Sequence, residues 1–233
     1  MSGGVFDPLV AIHQRLVREP DEGMGDALYP RGPAPTRWRP SFELRPYEAV
    51  DPESLKLGGK DSFHDLEPEE LRAAILRVID VEGPVHFDVL GDRLLTATDV
   101  SRMGARIRAR IESEIAALET AGDLAQTPPF LGRREQFSRP PHRDWSSLPD
   151  KHRKLEHVAD TELMLCLFHA VLEDEGIDED EAMNRGIYRI GFIRLTQNAR
   201  DRLQAPLEAC WEQGVLRRAS GGLYLGLEVF LRR

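Results

Sequence analysis

The chain has 233 residues, of which 41% are hydrophobic and 30% are charged, and its formal net charge is −9. This composition is typical of a globular protein, and no apolar run approaches the roughly 18 residues of a membrane-spanning helix. The acidic balance argues against attraction of the whole surface to nucleic acid, so any binding of phosphate must be local. The amino terminus shows no secretory signal, and we expect a cytoplasmic protein with no membrane partner.

Residues 1–65 are predicted to form one helix followed by a proline-rich arm. Apolar side chains recur near helical spacing over residues 8–19, and seven prolines over residues 20–52 then exclude regular structure. A partly ordered linker is one interpretation of this arm. The other is that it packs along a folded module, which would partly bury three aromatic side chains: Trp38, Phe42 and Tyr47.

Residues 66–131 show the pattern of three helices followed by two short strands. A helix over residues 68–82 keeps one apolar face and should end at a left-handed Gly83, after which a short second helix follows. Ser101 is expected to cap a long third helix that ends at Gly122, ahead of a hairpin. Three helices and a hairpin, in this order, are typical of a winged helix, whose third helix recognises DNA.

The same plan recurs in residues 158–233 at a shift of 92 residues. A hairpin is again predicted at the end, and the helices are predicted over three ranges: 160–173, 178–185 and 195–213. Pro206 falls inside the third of these helices and should kink it. We therefore predict a mainly α protein with small β-hairpins, built from tandem winged-helix (helix-turn-helix) repeats that superpose on each other.

Residues 132–157, between the two modules, are predicted to be a polar and basic linker because prolines interrupt any periodicity. Basic residues exceed acidic ones by four between Arg133 and Lys154, and Phe137 and Trp145 lie among them. Such a segment can follow a phosphate backbone or serve as a solvated tether, and the sequence favours neither interpretation.

Two groups of residues resemble a known family. The first comprises Glu82-Gly83-Pro84-Val85-His86, Arg93-Leu94 and residues 101–107, and the second is Ile190-Gly191-Phe192-Ile193-Arg194-Leu195-Thr196. Their order and spacing resemble the uncharacterised domain at the carboxyl end of large bacterial superfamily I helicase-related proteins. The resemblance implies association with DNA-processing or defence enzymes, and no catalytic residue, because the family's ATPase and nuclease motifs lie upstream of this domain. We expect the chain to be a free-standing relative.

The candidate DNA contacts are cations and amides near the starts of the two third helices and in the linker. The first module offers four arginines beside the apolar stripe of its third helix: Arg102, Arg106, Arg108 and Arg110. The linker adds Arg133 and Arg134, and the second module adds Arg194, Gln197, Asn198 and Arg200. Guanidinium and amide groups on a recognition helix can reach phosphates and base edges. The alternative is solvated helix surface whose arginines pair with nearby acids.

No residue pattern indicates catalysis, a metal or a cofactor. The histidines form no metal-binding motif, and Cys166 and Cys210 fall in apolar helical patterns. The acidic run over residues 173–181 lacks the alternation of a calcium loop, and we expect a solvated turn that repels DNA.

Together these patterns predict a non-catalytic DNA-binding or adaptor module that serves bacterial DNA repair, restriction or defence. The alternative is a protein–protein interaction module that docks onto a helicase or nuclease subunit, or onto itself, without touching DNA. The net charge and the acidic run favour the alternative, whereas the arginines of the third helices favour DNA.

Overall fold

The computed structural model describes residues 42–57, 63–98, 100–150, 152–219 and 221–226, apart from the side chain of His64. Within these residues the protein is mainly helical, with seven α-helices and small β-sheets, which confirms the coarse prediction of the fold class. It divides into two compact units. The N-terminal unit comprises the described residues of 42–162 together with 190–192, and the C-terminal unit comprises those of 163–189 and 193–226. The helix predicted over residues 8–19, and Trp38, lie outside the described residues.

The N-terminal unit consists of short strands and helices around one apolar core. Its elements are, in order, β1 (Arg45–Pro46), α1 (Pro68–Glu82), β2 (Val85–His86), α2 (Phe87–Ala97), α3 (Ala105–Ala121), β3 (Ala125–Thr127), β4 (Phe130–Gly132), α4 (Arg134–Ser138) and β5 (Arg143–Asp144). Single 3-10 turns occur at Pro52–Leu55, Phe63–Asp65, Trp145–Ser147 and Leu155–His157.

Helix α1 begins at Pro68, where the N–H that proline lacks would have no helical partner. Glu70 accepts a hydrogen bond from the backbone N–H of Glu67 at 2.9 Å, as part of a capping box. The helix buries one apolar face: Leu71, Ala74, Ile75, Val78 and Ile79. It ends at Gly83, whose φ of −72° corrects the left-handed cap that the sequence predicts. Glycine is needed there for space, since a Cβ would lie 2.5 Å from the carbonyl oxygen of Ile79.

Helix α3 begins later than the sequence predicts. Gly104, rather than Ser101, is its N-cap, so Arg102 lies in the bend before the helix and not on it. Glycine in a helix interior costs about 1 kcal/mol relative to alanine, which favours a helix that starts after Gly104. The helix ends, as predicted, at a left-handed Gly122 with φ of 83°. Its buried face points into the core: Ile111, Ile115 and Leu118.

Two small sheets complete the N-terminal unit. Strand β4 lies between β2 and β3 in an antiparallel sheet, and Leu131 of β4 is opposite both Val85 and Gln126. The first strand, β1, pairs in parallel with β5, where Arg45 is opposite Arg143. The parallel pair joins the arm before α1 to the segment after α4.

The C-terminal unit contains most of α5 (Asp160–Glu173), followed by α6 (Glu179–Arg189), α7 (Gln197–Glu212), β6 (Leu216–Ala219) and β7 (Gly222–Leu225). Strands β6 and β7 form an antiparallel hairpin, and an isolated bridge joins Ile177 to Leu223. Helix α7 continues through Pro206, which is itself buried, so packing offsets the backbone hydrogen bond that proline removes.

The element order of the first module recurs in the second at the shift that the sequence suggests. Three elements begin 92 residues after their counterparts: α6 at 179 against α2 at 87, α7 at 197 against α3 at 105, and β7 at 222 against β4 at 130. The strand pairing also recurs, because the bridge of 177 with 223 matches the pairing of 85 with 131. Both third helices are followed by a left-handed glycine, Gly122 and Gly214.

The segment over residues 132–157 differs from the polar linker that the sequence predicts. It contains α4, β5 and two 3-10 turns, and it buries His142, Arg143 and Trp145 within the N-terminal unit. The basic Arg143 can enter the core because its charge is paired with that of Glu162. Within the described ranges, no helix has the length and apolar character needed to span a bilayer.

Candidate nucleic-acid interface

Two arginines at the start of α3 project into solvent. Arg102 lies in the bend before the helix and Arg106 in its first turn, and both are exposed. Neither side chain makes a hydrogen bond or an ion pair within the described part of the chain. Met103, between them, is placed against α2, where a Cβ on Gly91 would lie only 2.0 Å from its Cε atom. The contact of Met103 with Gly91 thus fixes the bend that presents both cations.

The amino-terminal end of α3 also lacks a side-chain cap. Gly104 offers no side chain to the first free N–H groups, whereas Thr196 caps α7 by accepting a hydrogen bond from Ala199 at 3.2 Å. Uncapped N–H groups and the positive end of the helix dipole favour an anion at this place. The start of α3 therefore combines two unpaired guanidinium groups with unused backbone donors.

The other two arginines predicted on α3 are engaged within the unit. Arg108 contacts Asp88 at 3.2 Å and Glu112 at 3.7 Å, and its guanidinium lies 4.6 Å from the ring centroid of Phe87. Arg110 donates to the backbone carbonyl of Leu66 and is half-buried. The guanidinium groups of Arg108 and Arg110 are thus bonded to groups of the N-terminal unit, and a ligand would have to compete with these contacts.

Arg133 and Arg134 lie at the opposite end of α3 from Arg102. Arg133 donates to Asp80 at 2.7 Å and to the backbone carbonyl of Asp123, just beyond the carboxyl end of the helix. The hydrogen bond to Asp80 raises the pKa of Arg133. Since a helix of 17 residues is about 25 Å long, the linker arginines do not extend the cation pair at its start. Arg134 is exposed, but it stands apart from that pair.

In the C-terminal unit, two of the four predicted contacts are available. The side chains of Arg194 and Asn198 are exposed and have no partner among the described residues. Gln197 donates to Asp201 at 2.8 Å, and Arg200 forms an ion pair with Asp180. The second module thus presents fewer free donors than its sequence suggests.

The acidic run over residues 173–181 is largely neutralised by arginines of the same unit. Arg185 pairs with Asp174 at 3.0 Å and with Glu181 at 2.5 Å, and three further pairs involve Glu173 with Arg189, Asp180 with Arg200 and Glu179 with Arg218. The turn is solvated, as expected, because most of its acids are exposed, but the expectation did not include their pairing with arginines. Its charge is compensated locally, so its repulsion of a nearby phosphate backbone is smaller than the sequence alone implies.

A buried network around Glu82 escaped the sequence analysis. The Glu82 carboxylate accepts from the Tyr47 hydroxyl at 2.7 Å, from the backbone N–H of Val50 at 2.9 Å and from Arg93 Nε at 2.8 Å. Burial alone would lower the pKa of Arg93, but the hydrogen bond and charge of Glu82 raise it. Glu82 and Arg93, which belong to the first group of residues that resemble the known family, thus stabilise the fold as a buried ion pair. The sequence feature that could have indicated this network is an acidic residue, Glu82, at the end of an apolar helix face, followed by Arg93 in the next helix.

A second buried pair extends this network. Arg143 donates to Glu162 at 2.5 Å and to the backbone carbonyl of Glu82 at 2.6 Å, and the Trp145 indole donates to Glu162 at 3.3 Å. Tyr47 and Trp145 pack with ring centroids 4.5 Å apart. These contacts join the arm, the turn after α1 and β5 in one polar cluster, in which every charge has a partner. Tyr47 is therefore buried and Phe42 is half-buried, which agrees with the interpretation that the arm packs along a folded module.

The histidines and cysteines do not converge on a metal site in the described ranges. Cys166 and Cys210 are buried free thiols, and burial raises the pKa of Cys210.

Comparison with known proteins adds one family match. The model of a family described as "Protein of unknown function (DUF3320)" matches residues 61–109, which span α1, α2 and the start of α3. No curated protein and no solved structure is significantly similar to the chain. The matched residues include Glu82, Arg93 and both exposed arginines at the start of α3.

Proposed function

We propose that the chain is a non-catalytic DNA-binding module with two winged-helix repeats. In this proposal α2, the following bend and α3 are the helix-turn-helix of the first repeat, and the β3–β4 hairpin is its wing. The equivalent elements of the second repeat are α6, α7 and the β6–β7 hairpin. The order of elements and their recurrence at a shift of 92 residues support this assignment.

The observation that carries the proposal is the pair of unpaired arginines at the uncapped start of α3. Arg102 and Arg106 would contact backbone phosphates, together with the free N–H groups of the first turn. A protein of net charge −9 can bind DNA only where local cations outweigh the overall repulsion. We therefore expect modest affinity with a steep dependence on salt.

The wider setting that we propose is DNA repair, restriction or defence in the bacterial cytoplasm, where the chain acts as an adaptor beside a helicase or nuclease. Domains of the matched family are typically found alongside helicases, and the resemblance of residues 82–107 and 190–196 favours the same association. No catalytic group is assigned in this proposal.

A second candidate function is docking onto a protein partner without contact to DNA. One observation favours it: Tyr188 is 70% exposed and Ile193 is 79% exposed, and they lie on either side of the turn at residues 190–191. Large apolar side chains in such positions are more typical of protein interfaces than of a phosphate-binding surface.

Titration of short DNA duplexes at several salt concentrations distinguishes the two candidates. We expect the intact protein to bind at about 50 mM salt and to lose most of its affinity by about 200 mM. Arg102→Ala and Arg106→Ala should each lower the slope of log K against log salt by about one unit. Arg108→Ala is the matched control, because Arg108 lies on the same helix with its charge already paired. Absence of binding at low salt, or equal slopes for all variants, would favour the protein-docking function.

A further inference from the structure

Each of the two repeats carries an ion pair between an acid and an arginine at equivalent positions. Asp174 follows Glu82 by 92 residues, and Arg185 follows Arg93 by the same interval. Arg93 Nε donates to Glu82 at 2.8 Å in the N-terminal unit, and Arg185 Nη1 donates to Asp174 at 3.0 Å in the C-terminal unit. In both units the pair therefore links the end of the first helix to the second helix.

The surroundings of the two ion pairs differ sharply. The side chain of Glu82 is 0% exposed and that of Arg93 is 11% exposed, because the strap segment, residues 45–50, covers them. The strap contributes the Tyr47 hydroxyl and the backbone N–H of Val50 to the carboxylate. Asp174 and Arg185 remain 53% and 40% exposed. Among the described residues, no segment covers this second pair.

An exposed aromatic side chain lies next to the uncovered pair. Tyr188 follows Arg185 by three residues on α6, so the two side chains lie on the same helix face. In the N-terminal unit the equivalent position is Thr96, a small polar residue. The uncovered pair thus adjoins an exposed aromatic ring at a helix position where the first repeat has a polar residue, and aromatic side chains of this kind are enriched at protein interfaces.

We propose that Asp174, Arg185 and Tyr188 form a docking surface for an extended segment of a partner protein. The strap defines the chemistry of that segment: a tyrosine hydroxyl and, shortly after it, a backbone N–H, both donating to the carboxylate of Asp174. An acidic segment does not fit, because the carboxylate needs donors once water is excluded. The aliphatic and aromatic groups of the segment would pack on the ring of Tyr188. This docking surface does not depend on DNA binding by α3.

The intact protein can be titrated with a fluorescent peptide of residues 44–50, Leu-Arg-Pro-Tyr-Glu-Ala-Val, as a probe with the chemistry of the strap. We expect saturable binding that Asp174→Ala and Tyr188→Ala each weaken about tenfold or more. A peptide with phenylalanine in place of the tyrosine should also bind more weakly, because it lacks the donor. Thr96→Ala, at the position equivalent to Tyr188, is the control and should bind like the unmodified protein.

Three results would overturn the proposal. The first is no binding at about 1 mM peptide, which corresponds to an interaction weaker than about 4 kcal/mol. The second is peptide affinity in the Asp174→Ala and Tyr188→Ala variants that equals the affinity of the unmodified protein; Tyr188→Ala changes only an exposed side chain. The third is self-association of the intact protein that Asp174→Ala abolishes, which would assign the surface to a second copy. The duplex titration has a separate readout, so failure of DNA binding leaves these outcomes unchanged.

Discussion

The Arg143 guanidinium lies 2.5 Å from the carboxylate of Glu162, and both side chains are almost completely buried. Removal of one partner leaves an uncompensated buried charge, which typically costs about 3–5 kcal/mol. We expect Arg143→Met to lower the free energy of unfolding by about this amount in urea denaturation. The control is Arg45→Ala, which removes an exposed ion pair with Glu43 and should leave the midpoint unchanged. Similar midpoints for both variants would show that the buried pair does not stabilise the unit.

The hydroxyl of Tyr47 holds the strap to the end of α1. The hydroxyl donates to Glu82 at 2.7 Å, and burial raises the pKa of Tyr47 above its ordinary value. Tyr47→Phe removes this donor from a buried carboxylate and should cost about 1–3 kcal/mol, with faster proteolysis near residues 45–50. Tyr188→Phe is the matched control, since Tyr188 is exposed, and it should leave stability unchanged. Unchanged proteolysis of Tyr47→Phe would contradict the role assigned to the hydroxyl.

Gly191 has a left-handed backbone with φ of 93°, and a Cβ there would lie 2.5 Å from the backbone nitrogen of Ser146. Gly221 has φ of 81° and open space around it. An alanine at Gly221 would therefore introduce backbone strain alone, whereas an alanine at Gly191 would add steric overlap. Alanine in a left-handed conformation costs about 1–2 kcal/mol. We expect Gly221→Ala to lower stability by about that amount and Gly191→Ala by clearly more, as measured by thermal unfolding. Equal losses would mean that the contact with Ser146 relaxes freely.

His157 is buried beside His86, with ring centroids 4.8 Å apart. Burial, and then the positive charges of His86 and Lys154, lower the pKa of His157 from its usual value of about 6.5. The unfolded chain therefore takes up this proton at a higher pH than the folded chain does. The stabilising contribution is complete above about pH 6.5 and is lost as the pH falls toward the folded-state pKa.

The corresponding measurement compares urea midpoints at about pH 7.5 and pH 5.5. The drop between these values should be smaller in His157→Gln than in the unmodified protein. His152→Gln is the control, because its ring is more exposed, and it should retain the full drop. An identical drop in all three proteins would show that His157 does not contribute to the pH dependence.

Local patterns explain what the sequence could predict. The shift of 92 residues could be recognised in the sequence, because glycine turns and apolar stripes depend on neighbours within a few residues. The left-handed glycines that follow both third helices, Gly122 and Gly214, recur for this reason. The hydrogen-bond partners of long arginine side chains could not be predicted from the sequence. Arg133, for example, finds Asp80 across 53 residues, which depends on how α1 and β4 pack.

The same limitation applied to the basic segment after β4. Its composition indicated a solvated linker. Arg143 is nevertheless buried, because its guanidinium donates to the carboxylate of Glu162 and to two backbone carbonyls. Within the described part of the chain, five of the predicted contacts kept exposed side chains without a partner: Arg102, Arg106, Arg134, Arg194 and Asn198. The sequence therefore indicated exposed cations at the start of α3, but it overestimated how many of the candidate side chains are free of partners.

The parallel pairing of β1 with β5 bears on the order in which the protein can fold during synthesis. Arg45 meets Arg143, and the backbone N–H of Trp145 donates to the carbonyl of Ile190 at 2.9 Å, so the N-terminal unit closes through contacts between distant segments. Such closure carries a loop entropy cost and slows folding relative to a bundle of local contacts. The helices around α1 can assemble on the ribosome early, but the unit cannot be completed until Ile190–Phe192 has emerged.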